Sequence, residues 1–187
     1  MRRLWFLLVL ACVALPETRP SPTHAAGPSL RGSALYFFGW SRDSRLIAYT
    51  RQRVGRTRPD QRMHRYVEGG EFAGFGKMVG GDVERYAQER SYVIKAATKR
   101  RLSESSFELD YGGKTYSLAI EVGRAQMWRF KLGETVVAEH AFDRIYVGFD
   151  VELFPSPDGT QAVIVMHLDT GWEIDAAIFP VLLTKAR

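Results

Sequence analysis

Apolar residues alternate with polar or small ones along most of the second half of the chain. In KTYSLAIEV (114–122), Tyr116, Leu118, Ile120 and Val122 recur at every second position. A period of two places them on one face of an extended strand and leaves the other face to solvent. MWRFKL repeats the pattern with Trp128, Phe130 and Leu132, and Gly133-Glu134 turns the chain into TVVAEH. The longest alternation is RIYVGFDVEL, with Ile145, Val147, Phe149, Val151 and Leu153 pointing one way. AVIVM (162–166) is apolar on both faces and predicts a central strand. The last strand is expected over EIDAAIFPVLL (173–183), as an edge strand or one that ends at Pro180, because proline offers the ladder no N–H.

The first half is less regular. ALYFFGW and RLIAYTR read as strands on either side of a polar turn, SRDS (41–44). RQRVGRTRPDQRMHR (51–65) holds Arg51, Arg53, Arg56, Arg58, Arg62 and Arg65 against Asp60 alone. Gly55 and Pro59 interrupt any regular element, so an exposed loop is expected there. A glycine-rich stretch, EGGEFAGFGKMVGGD, follows. One helix is predicted from about Asp82 to Ala97, with Asp82 as N-cap and Val83, Tyr86, Ala87 and Ile94 near one face, and with a strand and turn as the alternative for its second half, SYVIKAATKRRLS. The fold expected is mostly β: antiparallel sheets in a sandwich, a roll or a partial propeller, with about one α-helix. Trp40, Tyr49, Trp128, Phe130, Ile145, Phe149, Ile164 and Ile178 are its expected core residues.

Two segments share one grammar. GWSRDSRLIAYT (39–50) and PSPDGTQAVIVM (155–166) each pass from a polar S-x-D-[SG] turn, through two residues, into an apolar strand. Aspartate accepts turn hydrogen bonds from the backbone ahead of it, and serine or glycine closes the turn. This resembles the S-P-D-G repeat of TolB-like and WD40-like β-propellers, and the layout resembles uncharacterised secreted bacterial proteins carrying one such motif near each end. The resemblance covers two pieces of about twelve residues, with no further copy between them, and implies no activity.

The N-terminus reads as an export signal. Arg2 and Arg3 precede the apolar run LWFLLVLACVAL, which is too short to span a membrane as a stable helix. Two processing routes stay open. Thr23 and Ala25 fit a signal-peptidase site, whereas Val9-Leu10-Ala11-Cys12 resembles a lipoprotein box in which Cys12, the sole cysteine, is lipidated. The division expected is a signal over 1–25, a linker over 26–32 and a single β-rich domain over 33–187. The location expected is periplasmic or extracellular, or lipid-anchored in the envelope. Membrane attachment is expected only through the signal or a lipid anchor.

Charge narrows the partners. The chain has 26 basic and 21 acidic residues, and three of the basic ones lie in the first 25. The small remaining excess, in an exported chain, argues against nucleic acid. The six arginines of 51–65 are the candidate binding residues, because guanidinium groups clamp carboxylates or phosphates. They point to a protein or to an anionic envelope surface.

The catalytic look-alikes fail. Asp169-Thr170-Gly171 resembles the loop of retropepsin-like proteases, but Trp172 stands where that family needs a small residue, so a turn is expected. GEFAGFGKMVGG has Glu71 and Met78 where a phosphate loop needs Gly and Ser or Thr. His167 and Asp169 share a strand face and are weak metal-ligand candidates, too few to complete a site. No catalytic residue, metal or cofactor is assigned. The function expected is a non-enzymatic binding or structural module of the bacterial envelope, and the alternative is a secreted hydrolase with an unrecognised carboxylate site. A groove lined by close carboxylates would favour the hydrolase, and a flat basic surface at 51–65 would favour binding.

Overall fold

The computed structural model describes residues 31–53, 61–78, 81–122 and 126–183. Cys12, the expected export signal, Arg56 and Arg58 lie outside them. The described residues form twelve strands and one short helix: β1 (Arg31–Trp40), β2 (Leu46–Arg53), β3 (Gln61–Glu68), β4 (Glu71–Met78), α1 (Val83–Glu89), β5 (Thr98–Ser103), β6 (Ser106–Tyr111), β7 (Lys114–Val122), β8 (Gln126–Leu132), β9 (Thr135–Ala141), β10 (Gly148–Pro155), β11 (Gln161–Asp169) and β12 (Glu173–Leu182). β5 to β9 make a five-stranded antiparallel meander, and the others make a seven-stranded sheet ordered β10-β11-β12-β1-β2-β3-β4. The mostly-β expectation with one helix holds, in a sandwich-like arrangement.

The seven-stranded sheet is folded on itself. Among the described residues its two halves join by a parallel pairing of two positions, Arg31 with Glu173 and Gly32 with Ile174. Beyond that short hinge, β1 to β4 turn back over β10 to β12, and both faces of β11 are covered. The alternation of β11 shows this directly. Ile164 and Met166 pack with Phe107, Leu118, Trp128 and Phe130 of the five-stranded sheet, while Val163 and Val165 pack with Leu35, Phe37, Ile47 and Tyr49 of β1 and β2. Three sheet layers result, and the central one contains AVIVM. α1 closes the outer side of the β1–β4 layer, with Val83 and Ala87 against Ala48.

The two S-x-D turns fold alike. Ser41 Oγ donates to Asp43 at 2.5 Å and accepts from the Leu46 N–H at 2.9 Å. Ser156 Oγ donates to Asp158 at 2.6 Å and accepts from the Gln161 N–H at 3.2 Å. The turns also meet. Buried Gln161 donates to the carbonyls of Ser44 and Val67, and the Asp158 N–H donates to Ser44 Oγ. One amide therefore ties the central layer to the β1–β4 layer at this end.

Four expectations need correction. Residues 51–65 are not one loop: Arg51 and Arg53 end β2, and Arg62 and Arg65 lie on β3. The helix stops at Glu89 rather than near Ala97, because Ser91 adopts a positive φ of 53° and Val93 is drawn into a bridge with Trp40; its Asp82 cap is as expected, accepting from the Glu84 and Arg85 N–H groups. Ile145 is 72% exposed and no core residue, since β11 turns away at Asp169 and β10 gains its partner only from Gly148 onward. β12 neither ends at Pro180 nor lies at a sheet edge. It runs to Leu182 between β11 and β1, but β1 pairs only with its first two residues, so the missing proline N–H costs no ladder bond on that side.

Candidate functional site

The fold leaves a groove where the layers converge. Its floor is β12, one wall is the β3–β4 hairpin, and the other is β9. β4 and β9 are the end strands of their sheets and each touches β12. A cavity of about 510 Å³ occupies one part of it, lined in part by Arg51, Arg65, Phe72, His140, Tyr146 and Asp175. A second cavity of about 440 Å³ continues along β9 past Val137 and Ala138 to Trp128, Pro180 and Leu182. Phe72, His140 and Phe179 line both, so the two form one trough.

Strand periodicity delivers the two arginines to the trough. Ile47, Tyr49 and Arg51 share the inner face of β2, and Met63, Arg65 and Val67 share that of β3. Both side chains thus occupy positions that the pattern reserves for apolar residues. Arg51 is held by a bridge across the hinge. Its Nη2 donates to Asp175 Oδ1 at 2.6 Å, its Nε donates to Ser33 Oγ at 3.0 Å, and Ser33 Oγ donates to the same carboxylate oxygen at 2.6 Å. Arg65 lies over Phe72, its guanidinium carbon 3.8 Å from the ring centre, a cation–π arrangement. Phe179 stacks obliquely on Trp128 and on His140, each at 5.1 Å between centres. The trough thus offers the Arg65 guanidinium and the Arg51–Asp175 ion pair at one end and an aromatic floor beside them.

Burial pushes the Asp175 carboxyl up, but hydrogen bonds from Ser33, the Ala176 N–H and Arg51 outweigh it, and the net displacement is below the ordinary carboxylate value. A carboxyl held in its ionised form is a poor general acid and a weak base. Burial also raises the Tyr146 phenol, with the Asp175 charge adding to it. The sign for stability follows from linkage. A depressed folded-state value means that the Asp175 contribution is fully present above the unfolded value near 4 and disappears as pH falls through the folded value. Asp175→Asn should therefore weaken the protein at pH 7 and remove part of its acid sensitivity below about pH 4. Urea titrations of both forms at pH 7 and pH 3 check this, and an equal stability gap at the two pH values would refute it.

The other sequence candidates lie elsewhere. Arg53 is exposed at the end of β2. Arg62 pairs with Thr50 through the backbone, and its side chain lies outside the described part of the molecule. Of the six arginines, Arg51 and Arg65 line the trough and Arg53 is exposed, while Arg56, Arg58 and the side chain of Arg62 lie outside the described residues. His167 Nε2 lies 4.0 Å from Glu152, whereas Asp169 Oδ1 accepts the Gly171 N–H at 2.7 Å, so Asp169-Thr170-Gly171 is a turn. Among the described residues no three His, Cys, Asp or Glu side chains gather as a metal site. Sequence reasoning passed over Phe72, His140 and Phe179 as site residues. Their only signal is aromatic character on strands that become neighbours through the folding of the sheet. No protein-family model matches this chain, and neither a curated protein nor a solved structure matches it.

Proposed function

We propose that the protein is an exported, non-enzymatic binding module of the bacterial cell envelope, and that its trough receives an extended protein segment carrying an acidic residue. The observation that carries this reading is the trough itself, in which two end strands, β4 and β9, face each other across β12 with Arg51 and Arg65 at one end. An open strand edge offers backbone donors and acceptors to an added strand, and flanking pockets select its side chains. The aromatic floor of Phe72 and Phe179 suits an apolar residue next to the acidic one. β9 carries a bulge opposite Phe130 and Lys131, a feature that discourages indiscriminate edge pairing. Binding fits the charges better than hydrolysis does, because Asp175 is committed to Arg51 and Ser33.

A photo-reactive side chain at Val137, in the full chain presented to envelope extract, tests the reading. Crosslinks to a defined partner segment are expected, and Arg65→Gln should reduce them about ten-fold, since loss of a charge-assisted pair is worth on the order of 1.5–3 kcal/mol. Crosslinking that is indifferent to Arg65→Gln, or equally strong from a probe at exposed Tyr36 on the far side of β1, would remove the groove as the site.

A further inference from the structure

Three exposed apolar side chains gather at one end of the central layer. Trp172 is 86% exposed at the tip of the turn between β11 and β12, and Ile145 and Val147, just before β10, are 72% and 65% exposed. The two segments are joined: the Val147 N–H donates to the Asp169 carbonyl at 2.7 Å, and a Cβ added to Gly171 would lie 3.7 Å from Val147 Cγ2. Single exposed apolar residues are ordinary on a protein surface, but three on two segments joined by a backbone hydrogen bond, one of them a tryptophan, are not. β1 begins at this same end, where Arg31 pairs with Glu173, the neighbour of Trp172. The 30 residues ahead of Arg31, which include the apolar run LWFLLVLACVAL, therefore join the fold beside the tip.

We propose that Trp172, Ile145 and Val147 form a docking tip for a lipid surface, on which the N-terminal segment holds the domain. Tryptophan favours the boundary between headgroups and acyl chains, where its ring is buried and its N–H stays hydrated. The surrounding charges are of both signs. Arg144 lies 3.6 Å from Asp143 and 4.0 Å from Glu173. Attraction to anionic headgroups is thus not the driving term, and burial of apolar surface is. Cys12 precedes Arg31 by 19 residues, a reach of at most roughly 65 Å when fully extended. A weakly binding tip held that close to the bilayer docks because its effective concentration is high. The proposal is independent of the trough and of what the trough binds.

The test uses the full chain carrying Trp5→Phe. Trp40 and Trp128 are buried, so the solvent-exposed part of the tryptophan emission then belongs to Trp172. Vesicles of neutral phosphatidylcholine with brominated acyl chains should shift that emission to the blue and quench it, and Trp172→Phe should abolish both changes. Ile145→Ser with Val147→Ser should reduce the quenching while the protein still sediments with the vesicles. The proposal is overturned if Trp172 stays accessible to aqueous acrylamide on vesicles, if the protein does not sediment with them, or if the shift appears without lipid as protein concentration rises, the mark of a contact between copies.

Discussion

Trp40→Ala is expected to destabilise the protein by about 4 kcal/mol and to lower its melting temperature by roughly 10–15 °C. The residue is fully buried at the end of β1 and joins three parts of the chain. Its ring sits in the cluster between the β1–β4 layer and the central layer. Its indole Nε1 donates to the Phe154 carbonyl of β10 at 2.9 Å. Its backbone exchanges hydrogen bonds with Val93, which holds the chain after α1 against β1. Truncation removes the ring, leaves a cavity and strips the Phe154 carbonyl of a donor, and these costs fall on one site. Trp40→Phe separates them: it fills most of the space but returns no donor, so it should cost about 1–3 kcal/mol. Chemical denaturation followed by circular dichroism gives both values. A loss under 1 kcal/mol for the alanine variant would mean that the two layers are not held together through this residue.

Trp40, Trp128, Phe130 and Ile164 are expected core residues and are buried, because a large apolar residue inside a period-two pattern or a continuous apolar run has few places to go. Ile145 belonged to the same pattern and is exposed. Alternation states which face a residue occupies if a strand is present, but the strand ends where its partner turns away, and that partner is 24 residues further on at Asp169. The arginines illustrate the opposite error. The charge density of 51–65 suggests a solvated loop, and it masks the alternation Met63-Arg65-Val67 that carries Arg65 inward. A charged residue at an inward position is read as loop until a carboxylate or an aromatic face is known to meet it; Asp175 lies on a strand brought close by tertiary folding, and Phe72 on the other strand of the β3–β4 hairpin. The turns were legible because their chemistry is local: Ser41 with Asp43, and Ser156 with Asp158, need no distant partner. The trough was not legible, because it exists only where the seven-stranded sheet doubles back.

That fold in the sheet depends on Gly32, and Gly32→Val should have an effect as large as that of Trp40→Ala, with a functional consequence as well. Gly32 has φ of 133°, and a Cβ built there would lie 1.6 Å from the Ile174 carbonyl oxygen, far inside any tolerable contact. The obstructing atom is backbone, so no side chain can rotate away, and the strand itself must move. Among the described residues the parallel pairing has two positions, and displacing one removes half of it. The next residue, Ser33, hydrogen-bonds Asp175, and both hold Arg51. A shift of β1 therefore undoes the polar bridge and reshapes the end of the trough that carries the arginines. The expected result is a loss of about 3 kcal/mol or more in stability, together with loss of crosslinking from Val137 under conditions where the variant remains folded. Gly32→Ala should behave in the same direction, since the clash is with the first side-chain carbon. Hydrogen exchange locates the damage: amides of β1 and the start of β12 should lose protection first, while β6 to β8, in the other sheet, keep theirs. Uniform loss across both sheets would instead make the hinge part of a single cooperative unit, and the trough could not then be opened without unfolding the whole domain.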